Sequence, residues 1–354
     1  MRDVLVRTLT AVVSIAAAIA ELPAPAAQRA DPELLWLSSF NIKTLQRDLQ
    51  TAADRGYRLV LPTGDYFGFG ERIVLVERTT AQPEPVEYLL LRGAGEEKEM
   101  NEAAVKGYRL AGTFNNLFVM QRRRGTTIRT HEYGDVGTRL KQSMENELLV
   151  AVARGFRVVG LTTRSVVGIR SMLGGQDREL VAILERPVQA AEAVHPEYLI
   201  LYSLKASTTQ AELQAAADRG FRLLPFQGGW GSTVLLEKAG DIEPVEYLVI
   251  STAKTGTMQT EMGKASAEGY RFASTFGSGF REFVIAMQRP RGARVRAHEQ
   301  VVLATSRFKT MERESLAQMA NGFRLVGLTS FDSIMGTYLG RGPEGVAILE
   351  RRVQ

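Results

Sequence analysis

Leu49-Gln50-Thr51-Ala52-Ala53-Asp54-Arg55-Gly56-Tyr57-Arg58-Leu59 is the stretch on which the fold turns. Leu45, Leu49, Ala52 and Ala53 share one face at helical spacing. Gly56 stands where a helix ends in a left-handed residue, a conformation glycine adopts without a Cβ penalty. Tyr57-Arg58-Leu59 then opens a strand, with Tyr57 and Leu59 on one face and Arg58 on the other. The same Gly-(Tyr or Phe)-Arg ending recurs at Gly107, Gly155, Gly220, Gly269 and Gly322. A period of about 50 residues means that one small unit is used six times.

Each unit begins with an apolar strand, for example Glu87-Tyr88-Leu89-Leu90-Leu91 or Glu246-Tyr247-Leu248-Val249-Ile250. A helix follows, then the signature, then two strands, so the order is β-α-β-β. Leu49–Gly56 matches Leu213–Gly220, Met120–Arg122 matches Met287–Arg289, and Val181–Arg186 matches Val346–Arg351, all offset by about 165 residues. Unit one thus pairs with four, two with five and three with six. The fold class is α+β: six tandem β-α-β-β repeats, arranged as two pseudo-equivalent three-repeat lobes with sheets covered by helices. Residues 31–188 form the first lobe, 189–194 a linker and 195–354 the second. A unit this small buries too little surface alone, and its first and third strands are apolar on both faces. Three units are therefore expected to share one core through a continuous or closed sheet.

The pattern resembles a family of short bacterial β-α-β-β domains of uncharacterised function. Their mark is a helix ending in glycine, followed by an aromatic, a charged and an aliphatic residue, after a first strand that often carries Glu-Tyr. That family typically has Gly-Trp-Glu-Leu where this chain has Gly-Tyr-Arg-Leu or Gly-Phe-Arg-Leu. The likeness covers residues 31–354 and implies a fold without a mechanism.

Met1 to Ala26 reads as a secretory signal: Arg2 and Arg7, an apolar Leu9–Ala20, then Leu22-Pro23-Ala24-Pro25-Ala26 with a small-residue cleavage site. The apolar stretch is shorter than the roughly 20 residues a spanning helix needs. The expected location is periplasmic or extracellular, with no membrane span in the mature chain. The chain has no cysteine, which excludes disulfides, thiolate metal sites and a cysteine nucleophile. A formal charge of +5 is no nucleic-acid signature.

The catalytic inventory is thin: no catalytic residue, metal site or cofactor is assigned. The three histidines, His131, His195 and His298, lie at the starts of first strands without metal-ligand spacing and are expected to face solvent. Gly340-Arg341-Gly342-Pro343-Glu344-Gly345 matches a dinucleotide fingerprint only formally, because a strand and not a helix follows it. The charges repeat more regularly. Arg58, Arg109, Arg157, Arg222, Arg271 and Arg324 project from equivalent places, with an acid or amide closing each third strand: Glu77, Gln121, Glu185, Glu237, Gln288 and Glu350. They read either as one cross-strand Arg–Glu pair per unit or as ligand-binding arginines converging on an anion. A basic junction, Arg122-Arg123-Arg124 with Arg129, matches Arg289, Arg291, Arg294 and Arg296; it reads as ion pairs or as attraction to an anionic envelope polymer. The long segments Thr163–Glu179 and Ser330–Gly345 break the repeat, and Met172, Leu173, Met335, Tyr338 and Leu339 in them are the expected partner-facing residues, for instance toward an envelope protein. The leading function is a non-catalytic exported structural or binding module. The alternative is a hydrolase or isomerase using Arg and Glu in a pseudosymmetric pocket.

Overall fold

A computed structural model describes residues 34–65, 72–79, 84–92, 96–114, 117–138, 141–166, 177–189, 195–202, 205–224, 233–240, 243–252, 254–277, 283–292, 297–331 and 344–353. The expected leader Met1–Ala26, most of residues 189–194 and the five residues expected to face a partner, Met172, Leu173, Met335, Tyr338 and Leu339, lie outside them.

The chain is α+β and every unit has the β-α-β-β order. In the first, strand Leu34–Ser39 is followed by helix Ile42–Asp54 and by strands Tyr57–Asp65 and Arg72–Arg78. The other five helices are Glu96–Val105, Lys141–Ala153, Ala206–Asp218, Thr255–Ala267 and Phe308–Ala320. All six signature glycines have positive φ, from 83° to 92°. In five repeats the next residue's N–H returns to a carbonyl five residues back, as Phe156 does to Ala151 and Phe323 to Gln318. That bond and the glycine conformation together stop the helix and turn the chain into the next strand.

The sheets are not continuous. Each repeat has its own three-stranded antiparallel sheet in the order first–third–second strand. The apolar third strand is therefore central, which explains why Ile73–Val76, Leu117–Met120, Val181–Leu184 and Val346–Leu349 are buried throughout. A register shift bends the second strand just after the signature in five repeats, for example between Leu110 and Gly112 and between Val158 and Gly160. Glycine after the bulge admits a neighbour: a Cβ on Gly327 would meet the Phe272 ring of the preceding repeat at 2.7 Å.

What closes a sheet that small is its neighbour. Residues Glu33–Gln354 form one compact unit, and each of its six apolar clusters straddles two repeats. Helix residues Leu45 and Leu49 join Tyr88 and Leu90 of the second repeat; Met100 joins Tyr133 and Ile183 of the third; Leu148 joins Ile200 and Leu235 of the fourth. The series continues through Leu213 with Tyr247 and Met262 with Val346. It ends with Phe308 and Met311 of the sixth repeat packed on Leu34, Trp36 and Leu75 of the first. The repeats thus form a closed ring, and the boundary between repeats three and four is built like the others.

Polar clamps reinforce these boundaries. The first strand of a repeat is a sheet edge, and side chains from the preceding helix serve its backbone groups. Gln50 accepts from Tyr88 N–H and donates to Val86 C=O, and Gln46 accepts from Leu90 N–H. Asn101, Gln210, Gln214 and Gln259 do the same farther on. Such pairing conceals edges that would otherwise recruit other strands. The tyrosine of the Glu-Tyr motif works in the opposite direction. Tyr88, Tyr133, Tyr198 and Tyr247 each accept, on the phenol oxygen, the N–H of Leu59, Leu110, Val158 or Leu223 in the preceding repeat. At the sixth-to-first seam Leu34 stands in the tyrosine position and Leu316 in the place of Gln50, with Glu312 in the place of Gln46, so the tyrosine bond and the Gln50-type bonds are lost there; Trp36 meets the Phe308 ring edge-on at 6.0 Å.

Candidate functional site: two buried glutamates and their arginine pairs

The signature arginines divide by position in the triplet. Arg58 donates to the carbonyls of Ala53, Tyr57 and Glu84, and Arg222 to those of Ala217, Phe221 and Glu243. Both guanidinium forks thus cap their own helix and hold the turn into the next repeat. The other four gather in twos across repeat boundaries. Arg109 donates through Nε at 3.3 Å and Nη2 at 3.0 Å to Glu185 of the next repeat, and Arg157 reaches the same Oε1 at 3.5 Å. Arg271 and Arg324 approach Oε1 of Glu350 at 2.7 and 3.3 Å. The cross-strand pair expected within a unit is therefore present in repeats three and six, joined by a second arginine that arrives from the repeat before.

Glu185 and Glu350 are each only 2 % exposed. Burying a carboxylate is costly unless charges and hydrogen bonds compensate, and here the compensation comes from several elements. Tyr133 donates its hydroxyl to Glu185 at 3.1 Å, and Gln300 its amide to Glu350 at 3.3 Å. His131 Nε2 lies 3.5 Å from Glu185, and His298 Nδ1 lies 3.7 Å from Glu350. These two histidines are largely buried against a carboxylate, which corrects the expectation that they face solvent. The strand partner of His131 and His298 is the last residue of the third strand, which brings each ring near that strand's acid, and the signature arginines act on it electrostatically. His195 does match the expectation of an exposed strand-start histidine, with Nδ1 3.2 Å from Val152 C=O.

The electrostatics follow from burial and charge. Burial lowers the pKa of His131 and His298, overcoming the pull of the adjacent glutamates. Burial works against ionisation of Glu350, but the hydrogen bonds and charge of Arg271, with His298, outweigh it and hold the carboxyl below its ordinary range. Both shifts act with the same sign. A depressed histidine pKa means that the unfolded chain takes up protons first as pH falls through the ordinary histidine range, and a depressed carboxyl repeats this at lower pH. Melting temperature should therefore fall as pH drops from 7.5 to 5, beginning near 6.5. A His131→Gln/His298→Gln variant followed by circular dichroism should lose the upper part of that slope; an unchanged slope would remove the histidines from the account.

A second repeated arrangement escaped the sequence reading. The basic residue after each third-strand acid stacks on the signature aromatic: Arg122 lies 4.5 Å from the Tyr108 ring centroid, Arg186 4.6 Å from Phe156, Arg289 4.4 Å from Tyr270 and Arg351 4.4 Å from Phe323. Each of these also donates to the carbonyl just before the signature glycine and pairs with the first-strand glutamate, as Arg122 does with Lys106 C=O and Glu87. Arg186 and Arg289 repeat the pattern with Glu132 and Glu246. One guanidinium thus joins helix end, aromatic and both outer strands. Its signal was the strict basic residue at 78, 122, 186, 238, 289 and 351. Within the junction, Arg124 and Arg291 pair with Asp54 and Asp218 on the preceding repeat's helix, both at 2.5 Å. Those arginines are ion-paired fasteners between repeats one and two and between four and five.

Grooves remain where a helix meets the next repeat. One of about 390 Å³ lies among Glu97, Glu132, Asp135, Glu147, Arg154 and Phe156. Burial, with the charges of Asp135 and Glu132, raises the Glu97 pKa. Another of about 500 Å³ occupies the corresponding place one repeat earlier, between Gln46, Gln50, Glu87, Tyr88 and Tyr108. Among the described residues, no helix is long and apolar enough to cross a membrane. Comparison of the chain with protein-family models, with curated proteins and with solved structures gives no match.

Proposed function

We propose that the protein is an exported, non-catalytic structural or binding module, with the ring as a rigid frame and partner specificity in the segments that depart from the repeat. The observation that carries this is the use made of the repeated charges. Arginine and glutamate positions conserved from unit to unit cap helices, neutralise buried carboxylates and join neighbours, which is the chemistry of assembly. The triplet duplication gives the frame two pseudo-equivalent halves, and the matching Glu185 and Glu350 environments support reading them as such. Met172, Leu173, Met335, Tyr338 and Leu339 are the proposed contact residues, toward an envelope protein or an anionic envelope polymer. Replacing 167–176 and 332–343 each with a two-residue turn, which spares the paired strand ends and the Arg164 ion pairs, should abolish cross-linking to envelope partners and leave the melting temperature nearly unchanged. If the shortened chain captures the same partners, or unfolds, the segments belong to the frame.

The second reading, a hydrolase or isomerase, draws support from the groove that places Glu97 and Asp135 together near Arg154. A carboxyl with a raised pKa beside a second carboxylate is a common acid–base arrangement.

A further inference from the structure

One guanidinium suffices to neutralise one buried carboxylate, yet Glu185 and Glu350 each hold two. The surplus differs from that of ordinary surface arginines in three respects. First, the two cations are fixed side by side. Both Nη2 atoms of Arg271 and Arg324 lie within 3.3 Å of the same Glu350 oxygen, so they stand within twice that distance of each other. A guanidinium has five N–H donors in a rigid fork, and Arg324 uses one on Glu350 while remaining 65 % exposed. Arg157 likewise makes one long bond to Glu185 and is 57 % exposed. Second, the arrangement occurs twice, in corresponding repeats. Third, at Arg58 and Arg222 the signature fork is directed at backbone carbonyls, so the paired arrangement is not a necessary product of the repeat.

We propose that each arginine pair is an oxyanion-binding site, taking one phosphate- or sulfate-type group between Arg109 and Arg157 and another between Arg271 and Arg324. Glu185 and Glu350 are the positioning residues: each anchors both forks from beneath and leaves their outward donors for the ligand. Two arginines against one carboxylate leave a net positive charge, and bidentate arginine contacts suit tetrahedral oxyanions. The second site is the stronger. Arg352 lies opposite His298 and acts on it electrostatically, whereas Pro187 occupies the corresponding position opposite His131. This inference rests on the binding-module reading and names a ligand chemistry for it; the ligand's source is either a free anion or the headgroup of an anionic lipid.

Calorimetric titration of the full chain with inorganic phosphate, in phosphate-free buffer at low salt, should give two sites per chain of unequal affinity. Charge-assisted hydrogen bonds set the scale of each loss: Arg157→Gln should weaken the first site by about tenfold or more, and Arg324→Gln the second. The double variant should bind at neither, while Arg313→Gln, which removes the same charge elsewhere, should bind as the parent does. Where a glutamine variant does not melt cooperatively, the lysine variant replaces it, since it keeps the charge and loses the fork. Phosphatidic acid vesicles, compared with phosphatidylcholine, separate the sources: binding lost in the double variant assigns a lipid headgroup, and phosphate binding without vesicle binding assigns a free anion. Absence of phosphate binding by the parent, full binding by the double variant, or an equal loss in Arg313→Gln overturns the proposal. None of those results touches the segment-replacement experiment, so the two readings fail separately.

Discussion

Removing the sixth repeat should cost the chain its fold, not one sixth of its stability. In an open solenoid a terminal repeat has one neighbour, and its loss subtracts one interface. Here every repeat has two. A chain ending at residue 296 would lose Phe308, Met311, Phe323, Leu328 and Leu349 from the cluster on Leu34, Trp36, Ile73 and Leu75. It would also lose Val346 and Ile348 from the cluster on Ile250, Met258, Met262 and Ile285. Two apolar faces, in consequence, become exposed at opposite ends of five repeats, and exposed patches of that kind drive association. Light scattering of the shortened chain should find oligomers or precipitate, with broad, non-cooperative unfolding by circular dichroism. A soluble monomer with a sharp transition would show that the seam contributes little.

Truncating the signature aromatic should have the next largest effect, graded by burial. Phe221 is almost fully buried among Leu213, Ala217, Leu236 and Tyr247, so it serves its own helix and the following repeat together. Phe221→Ala should destabilise by about 3–5 kcal/mol, the range for a large core aromatic. Tyr108 occupies the same place in repeat two but is only half-buried, with Arg122 covering its outer face. Tyr108→Ala should cost roughly half as much. Urea unfolding of both variants checks the order. A loss below about 1 kcal/mol at Phe221 would mean that its ring does not support the helix.

The unit was legible because its punctuation is local. Gly56 and its equivalents announce the helix end, and the change from helical to alternating spacing fixes the order of elements. Tyr57, Phe156, Phe221, Tyr270 and Phe323 are buried on the face that strand alternation assigns them. What lies between units was not legible, since the partners across consecutive repeats come from residues 23 to 79 positions away. The sequence aligns Arg109 with Gln121 in its own sheet, but its carboxylate is Glu185 in the next repeat. Nothing in the spacing of His131 from Glu185 places them 3.5 Å apart; only the strand register does. The expected continuous sheet failed for a related reason. Two apolar faces on a strand require cover on both sides, and helices of neighbouring repeats supply it as well as a further sheet would. The ring's closure left one faint trace: the position that is tyrosine in repeats two to five and glutamine in repeat six is a leucine, Leu34, in the first.

The Trp36–Phe308 contact gives the protein a built-in optical gauge. The chain has two tryptophans, and Trp36 is buried where the last repeat meets the first. All other interfaces join consecutive repeats, so they can assemble early from contacts of low sequence separation. Only the seam must bring together segments some 270 residues apart. That extra span is inexpensive, since each doubling of loop length costs about 0.6 kcal/mol, but it predicts an order: the first strand should dock last and undock first. With Trp230 replaced by phenylalanine, the remaining indole's emission reports that step alone. Its blue shift during refolding would lag behind the recovery of helical ellipticity, separating the making of the six units from the closing of the circle.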